Sequence, residues 1–391
     1  MSDPAGGPAS LAGAVPTPVR VMVVDDSATI RGALARILGG DPRIEVVARV
    51  ANGQLALDWH ARHPVDVVLL DIEMPVMDGL TALPLLLRAD PSLRVIMAST
   101  LTTHGAEATL RALRLGAADY IAKPGTGEMG SGTFRTELLA KVAALRRRRP
   151  APPPAIAVAV TAAATWVAPL RVSPPLRLAR RPAGGETPVL LAIGCSTGGP
   201  RALFELFEAL PRSLGVPVVI TQHMPPIFTK MLAAQLDRIG TLPCHEATDG
   251  EPLLPGHAYM APGGQHLLVA QATAGLRARL SSAPPENQCR PAVDPMLRSA
   301  VEACGARVLA VILTGMGQDG LLGTRAVLAA GGCALAQDEA SSVVWGMPGA
   351  VARDGLCGAV LPVAALAREI AAIVGHGVPV RLPGLAAKPT A

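Results

Sequence analysis

At 391 residues, half of them hydrophobic, the chain is long enough for two or three domains with true cores. Only nine residues are aromatic, so those cores must be built from Leu, Val, Ile and Ala. The net charge of +5 raises the idea of a nucleic-acid partner, but its distribution argues against one: residues 18–145 carry 13 basic and 14 acidic side chains, residues 188–375 carry 12 and 14, and the excess lies in 146–187, with eight arginines against Glu186. Six scattered cysteines form no Cys-x-x-Cys pair and follow no signal peptide, which points to a reduced cytoplasm.

In chain order, the first apolar run is Val21-Met22-Val23-Val24, which ends on Asp25-Asp26. A second, Val67 to Leu70, ends on Asp71, and a third stretch enters Lys123-Pro124. Short apolar runs separated by amphipathic stretches predict buried parallel strands, and ligand sites in such sheets gather beyond the strands' carboxyl ends. Three carboxylates crowded there repel one another unless a cation or a phosphoryl transfer needs them, and Mg²⁺ favours such an oxygen cage.

The pieces Val23-Val24-Asp25-Asp26-Ser27, Leu70-Asp71-Ile72-Glu73-Met74-Pro75, Met77-Asp78-Gly79-Leu80, Met97-Ala98-Ser99-Thr100 and Lys123-Pro124 resemble a response-regulator receiver domain over residues 18–145. The resemblance implies that Asp71 accepts a phosphoryl group from a histidine kinase. It implies that Asp25, Asp26, Asp71 and Glu73 hold Mg²⁺, that Lys123 pairs with the phosphoryl oxygens, and that Ser99 and Tyr120 form the switch. Pro84 departs from the pattern, because inside a helix it costs a backbone hydrogen bond unless it lies in the first turn.

Residues 146–187 read as a basic, Pro- and Ala-rich tether. The uncharged stretch from Ala155 to Ala168 superficially resembles a membrane anchor, but it is too short to span and is fenced by Pro152-Pro153-Pro154 and Pro169. No membrane insertion is expected. The residues from about Val378 read as a frayed tail.

Beyond the tether the strand pattern resumes over residues 188–377. Val189 to Ile193 leads into Gly194-Cys195-Ser196-Thr197-Gly198-Gly199-Pro200 and a helical pattern from Ala202 to Leu210. Val216 to Thr221 leads into Gln222-His223, and Val308 to Thr314 leads into Gly315-Met316-Gly317-Gln318-Asp319-Gly320. Three predicted strands therefore deliver a Ser, a His and an Asp. A serine hydroxyl becomes nucleophilic when a neighbouring base takes its proton, and a buried carboxylate steadies the resulting imidazolium. Gly194-x-Ser196-x-Gly198 also has the form of a nucleophile elbow.

Each piece has a plainer alternative. Ser196 and Asp319 could cap helices, and His223 competes with His245, His257 and His266 in turn-rich segments. Gly315-x-Gly317-x-x-Gly320 with Asp338 approximates a dinucleotide fingerprint. Against it, Asp319 would put a like charge where the pyrophosphate binds.

The blocks from Ile193 to Pro200, Gln222-His223-Met224, Ala261 to Gly264, Arg290 to Asp294, Leu313 to Gly320, Gln337 to Ser341 and Gly346-Met347-Pro348 resemble the chemotaxis protein-glutamate methylesterase family, CheB. That family joins a receiver to an esterase domain. The expected fold class is thus α/β, a flavodoxin-like receiver followed by a doubly wound parallel esterase domain. The resemblance implies a triad of Ser196, His223 and Asp319, with backbone N–H groups of Thr197 and Met316 holding the oxyanion. It also implies phosphorylation-controlled, metal-free hydrolysis of glutamyl methyl esters on chemoreceptors with release of methanol, and deamidation of receptor glutamines. A receiver tethered to a domain that has lost catalysis and only binds a partner is the competing expectation, and the intact Ser, His and Asp positions favour the enzyme.

Overall fold

The computed structural model describes residues 17–100, 102–123, 132–146 and 186–375. Nearly all of the predicted tether, the anchor-like 155–168 segment, Pro124 and the tail lie outside the described residues. Among the described residues no helix is long and apolar enough to cross a membrane.

The first domain is a five-stranded parallel sheet of β1 (Val19–Val24), β2 (Ile44–Val50), β3 (Val67–Asp71), β4 (Arg94–Ser99) and β5 (Asp119–Ala122), in the order β2-β1-β3-β4-β5. The order reverses between β1 and β3, and a crevice opens there at the carboxyl ends. Every residue of β3 is buried, as expected for a central strand covered on both faces. The connecting helices are α1 (Ala28–Gly39), α2 (Gly53–His60), α3 (Gly79–Ala89), α4 (Thr103–Leu115) and α5 (Gly132–Ala144). Asp78 starts α3 by accepting a 2.7 Å hydrogen bond from Thr81 N–H. Pro84 is the sixth residue of α3, past the first turn, so the helix forgoes one intrahelical donor.

The second domain has a seven-stranded parallel sheet in the order β14-β13-β12-β6-β7-β9-β8. Its strands are β6 (Leu190–Cys195), β7 (Val218–Gln222), β8 (Cys244–Glu246), β9 (Ala258–Met260), β12 (Val308–Ile312), β13 (Cys333–Gln337) and β14 (Ala359–Leu361). A separate antiparallel hairpin joins β10 (His266–Ala272) to β11 (Gly275–Ser281). The helices are α6 (Gly199–Ala209), α7 (Pro226–Ile239), α8 (Val293–Cys304), α9 (Leu321–Ala329), α10 (Met347–Arg353) and α11 (Val363–Val374). Central strands β6, β7 and β12 are buried throughout and end near one another at the same edge of the sheet.

The two domains pack directly. One buried apolar cluster includes Leu110, Leu113 and Tyr120 of the receiver together with Phe204, Phe207 and Phe228 of the second domain. Tyr120 stacks on Phe228 with ring centroids 4.5 Å apart, and Arg114 reaches Glu208 at 3.0 Å. A buried polar contact crosses the same boundary, where Thr197 Oγ1 donates to Asp119 Oδ2 at 2.8 Å.

Candidate active site

At the receiver crevice, strand geometry gathers the charges that the sequence places at strand ends. Ligand oxygens of Asp25, Asp26 and Asp71 lie within 4.8 Å of one another. Lys123, just past β5, holds Asp25 Oδ2 at 2.8 Å and Asp71 Oδ1 at 2.7 Å. Burial raises the proton affinity of Asp71, and the Asp25 charge adds to that; Lys123 and the Ile72 N–H oppose it without cancelling it. An all-carboxylate set of this kind fits a hard divalent cation such as Mg²⁺. The Glu73 carboxylate does not join it. It lies on the exposed turn leaving β3, 3.9 Å from His104. Ser99 Oγ donates to the carbonyl of Gly105 in the first turn of α4 at 3.0 Å, and Tyr120 is buried against Phe228.

In the second domain, Ser196 follows β6 and His223 follows β7, and neighbouring strands bring them side by side. Gln222 ties the two turns together, its Nε2 donating to the carbonyls of Ser196 at 3.0 Å and His223 at 3.3 Å. Ser196 N–H donates to Thr314 across to the β12 end at 3.0 Å. Asp319 arrives differently from the expectation of a strand terminus. It lies seven residues past β12, after an excursion through Gly315 and Gly317, and meets His223 with Nε2 to Oδ2 at 2.7 Å.

The cap alternative fails for Ser196, and Asp319 caps a helix other than the one that follows it in sequence. The cap of α6 is Gly198, at φ 78°, where a side chain would be strained and would strike Val343; Ser196 and Thr197 make no capping bond. Asp319 does not cap α9 in the usual manner either, since the residue at that cap is Gly320. Instead its carboxylate receives N–H groups from Val293 at 2.7 Å and Asp294 at 3.1 Å, the first turn of α8, and from Gly320 at 3.0 Å. The positive end of α8 therefore faces the Asp319 charge. That carboxylate also fills the helix start where a dinucleotide pyrophosphate would lie. In the Gly194-x-Ser196-x-Gly198 turn the second glycine carries the unusual backbone. Among the described residues only Val76, Asn287 and Gln288 are non-glycine residues with positive φ, so the turn is absorbed by Gly198 and Ser196 is not strained.

The electrostatics set up an anion beside a cationic imidazole. Burial works against the Asp319 charge, but the His223 hydrogen bond and the N–H donors overcome it and lower its proton affinity. Burial likewise works against a charged His223, yet the Asp319 bond and a contact with Cys289 raise its pKa to about 9. Cys289 Sγ lies 3.4 Å from Nδ1, the ring nitrogen not used by Asp319. Among the described residues, the N–H groups of Thr197 and Met316 are given to no other group. A side chain at Gly315 would come within 2.9 Å of Ser196 Cβ, so glycine keeps that approach open.

Comparison with known proteins finds relatives for both domains. A profile described as CheB methylesterase matches residues 191–370, and one described as response regulator receiver domain matches 21–129. The chain is 52% identical over 378 residues to the protein-glutamate methylesterase/protein-glutamine glutaminase of group 2 operon of Rhodospirillum centenum, covering 93% of each chain. It is 52% identical over 370 residues to the protein-glutamate methylesterase/protein-glutamine glutaminase of Azospirillum brasilense, covering 92% of this chain and 93% of that one. The chain belongs to the CheB methylesterase family. The solved CheB methylesterase catalytic domain of Thermotoga maritima is 40% identical, with 47% of this chain and 98% of that chain covered and a TM-score of 0.46.

Within this CheB fold the competing histidines have other partners. His266 is buried, receiving Ala292 N–H at Nδ1 (3.1 Å) and facing the Pro284 carbonyl at Nε2 (3.1 Å). His245 pairs with Glu251 at 2.9 Å on the surface. Sequence reasoning assigned no role to Gln222, Thr314, Asn287, Cys289 or Asp294, all of which bear on the site. Asp294 lay within the Arg290-to-Asp294 block and Gln222 beside His223, so motif membership was the available signal. Asn287 and Cys289 carried none.

Proposed function

We propose that the chain is a phosphorylation-controlled protein-glutamate methylesterase and protein-glutamine glutaminase acting through a serine acyl-enzyme. The observation carrying this reading is the 2.7 Å His223–Asp319 pair, on the strand end neighbouring that of Ser196, in a CheB family chain. Ser196 Oγ attacks the glutamyl carbonyl while His223 Nδ1 takes its proton, and Asp319 stabilises the imidazolium through Nε2. The amides of Thr197 and Met316 hold the oxyanion. The imidazolium gives its proton to the leaving methoxy oxygen, releasing methanol, or to the leaving amide nitrogen, releasing ammonia, when the substrate is a glutamine. Water then releases the glutamate by the reverse sequence. Because Nδ1 must be neutral to act as a base, only a minor fraction of His223 is competent near neutrality.

In the receiver, Asp71 takes the phosphoryl group from a histidine kinase, and Lys123 follows the new charge. Asp25, Asp26 and Asp71 would hold Mg²⁺, which when bound would supply positive charge to these crowded oxygens. The receiver grips the second domain at Thr197, one residue from the nucleophile, and Tyr120 sits in the same interface. Phosphorylation then biases a two-state domain contact. The substrates are chemoreceptors in the cytoplasm, a setting that suits six free cysteines. Methanol release from methylated receptor membranes, with and without a small phosphodonor, tests the reading. Equal release by wild type and by a well-folded Ser196→Ala protein overturns it.

A further inference from the structure

Two buried carboxylates share one donor behind the proposed triad. Asn287 Nδ2 lies 2.8 Å from Asp319 Oδ1 and 2.9 Å from Asp294 Oδ2. Only the amide nitrogen suits that position, since the amide oxygen would face two carboxylate oxygens. Asp294 is also buried and accepts Gly323 N–H at 2.6 Å. Asp319 uses Oδ2 for His223 and Val293, while Oδ1 takes Asn287, Asp294 N–H and Gly320 N–H.

The segment carrying Asn287 is built to hold that amide in place. Glu286 and Cys289 exchange two backbone hydrogen bonds, at 3.1 and 2.9 Å, around a two-residue turn. Asn287 and Gln288 are both left-handed there, at φ 52° and 63°, a conformation Asn tolerates better than most residues. Glu286 is clamped to Arg298 on α8 by two bonds of 2.7 and 2.6 Å. The turn is thus pinned to the helix whose N-terminal amides also serve Asp319, and its next residue, Cys289, touches the catalytic ring.

We propose that Asn287 is a positioning residue of this esterase: its amide keeps Asp319 an aligned carboxylate toward His223 and prevents Asp319 and Asp294 from sharing a proton. Adjacent buried carboxylates without an intervening donor relieve their repulsion by binding a proton between them. A proton held there would weaken Asp319 as counter-charge to the imidazolium and turn Oδ1 toward Asp294. The inference rests on the triad reading and adds a fourth side chain to it.

The test uses the full chain with Asn287→Gly, which keeps the left-handed turn, and Asn287→Asp, which keeps the shape without the donor. In both, kcat/KM for ester hydrolysis should fall on the order of 10–100-fold, carried by kcat, with KM little changed. The rising limb of the pH profile should move to lower pH, because a less anionic Asp319 releases the His223 proton more readily. The groups facing this ring and its partner are Asp319, Cys289 and Asp294, while Glu286 and Arg298 pair with each other. In an Asp319→Ala background, Asn287→Gly should change kcat/KM by less than about twofold, the mark of action through Asp319. An impaired Asp319→Ala protein alongside an Asn287→Gly protein with wild-type kcat/KM and pH limb overturns this inference alone. A full Asn287→Gly loss in the Asp319→Ala background also overturns it. An Asp319→Ala protein of wild-type activity overturns the triad itself. If Asn287→Gly fails to fold, Asn287→Asp carries the same comparison.

Discussion

Asp71, the last residue of β3, and Asp319, beyond the carboxyl end of β12, are both buried acids, each 2.7 Å from a basic nitrogen, and they are pushed in opposite directions. Asp71 has a single local N–H donor, from Ile72, and faces the Asp25 charge; burial wins, and its proton affinity rises. Burial also works against the Asp319 charge, but the His223 bond and charge, with the Val293 and Asp294 N–H groups at the N-terminus of α8, win, and its proton affinity falls. What differs is what opposes burial: the imidazole and the α8 amides outweigh it at Asp319, while at Asp71 Lys123 and the Ile72 N–H do not, and the Asp25 charge adds to it. The first arrangement leaves an oxygen crowded and in need of a cation, suited to receive a phosphoryl group. The second fixes a permanent anion, suited to steady a base.

The largest expected effect lies at the esterase end. Ser196→Ala and His223→Ala should each lower methanol release by more than about 10⁴-fold, Asp319→Asn by about 10⁴-fold, and double replacements should be little worse than singles. Additive losses measured in the doubles would mean that the three do not act as a unit. At the receiver end, Asp71→Asn should abolish phosphate uptake from a small donor, and chelation of Mg²⁺ should do the same in wild type. Label appearing on another residue while Asp71 is intact would break the comparison there.

The His223–Asp319 pair gives a pH signature that the receiver lacks. With His223 at about 9, kcat/KM should climb by about tenfold per pH unit from 7 until it levels near that value. The sign for stability is opposite. A histidine whose folded pKa is raised contributes stability that is whole below its unfolded value of about 6.5 and lost as pH rises toward the folded one. Thermal melts should therefore show wild type losing its advantage over His223→Ala between those limits, and a flat difference would remove the ion pair from the account.

A fragment beginning near Gly184 should exceed the unphosphorylated full chain in turnover on the order of tenfold, within the range that ordinary domain coupling supplies. Equal turnover, with and without phosphodonor, would leave the receiver as a localisation device. The smallest effect belongs to Arg114→Ala. Its pair with Glu208 is half exposed on both sides, so denaturant melts should shift by less than about 1 kcal/mol.

Much of this was readable from the chain. Apolar runs ending on Asp25, Asp71, Ser196 and His223 declare both the strands and the site, because a buried parallel strand leaves its last polar residue at the crevice. What escaped was whatever depends on distant segments meeting. Nothing local in Ala292-Val293-Asp294 announces that its amides will serve Asp319, 26 and 25 residues away. The three-residue strands β8 and β9 are too short for any periodicity to reveal, and Asp319 itself lies off its strand on a glycine-rich detour. The outward turn of the Glu73 carboxylate is not legible either, because sequence adjacency to Asp71 does not fix which way a turn residue faces.

Thr197 has a double allegiance. Its hydroxyl is anchored in the receiver, on Asp119 at 2.8 Å, while its main chain adjoins Ser196 of the other domain. Modules joined by a tether are usually regarded as interchangeable parts. Here an exchanged receiver without an acceptor at position 119 would strand a buried hydroxyl beside Ser196, a defect of about 1–3 kcal/mol next to the proposed nucleophile. Chimeras that graft a foreign receiver onto this esterase should therefore fail or succeed according to one side chain, and restoring an aspartate there is the first repair to make.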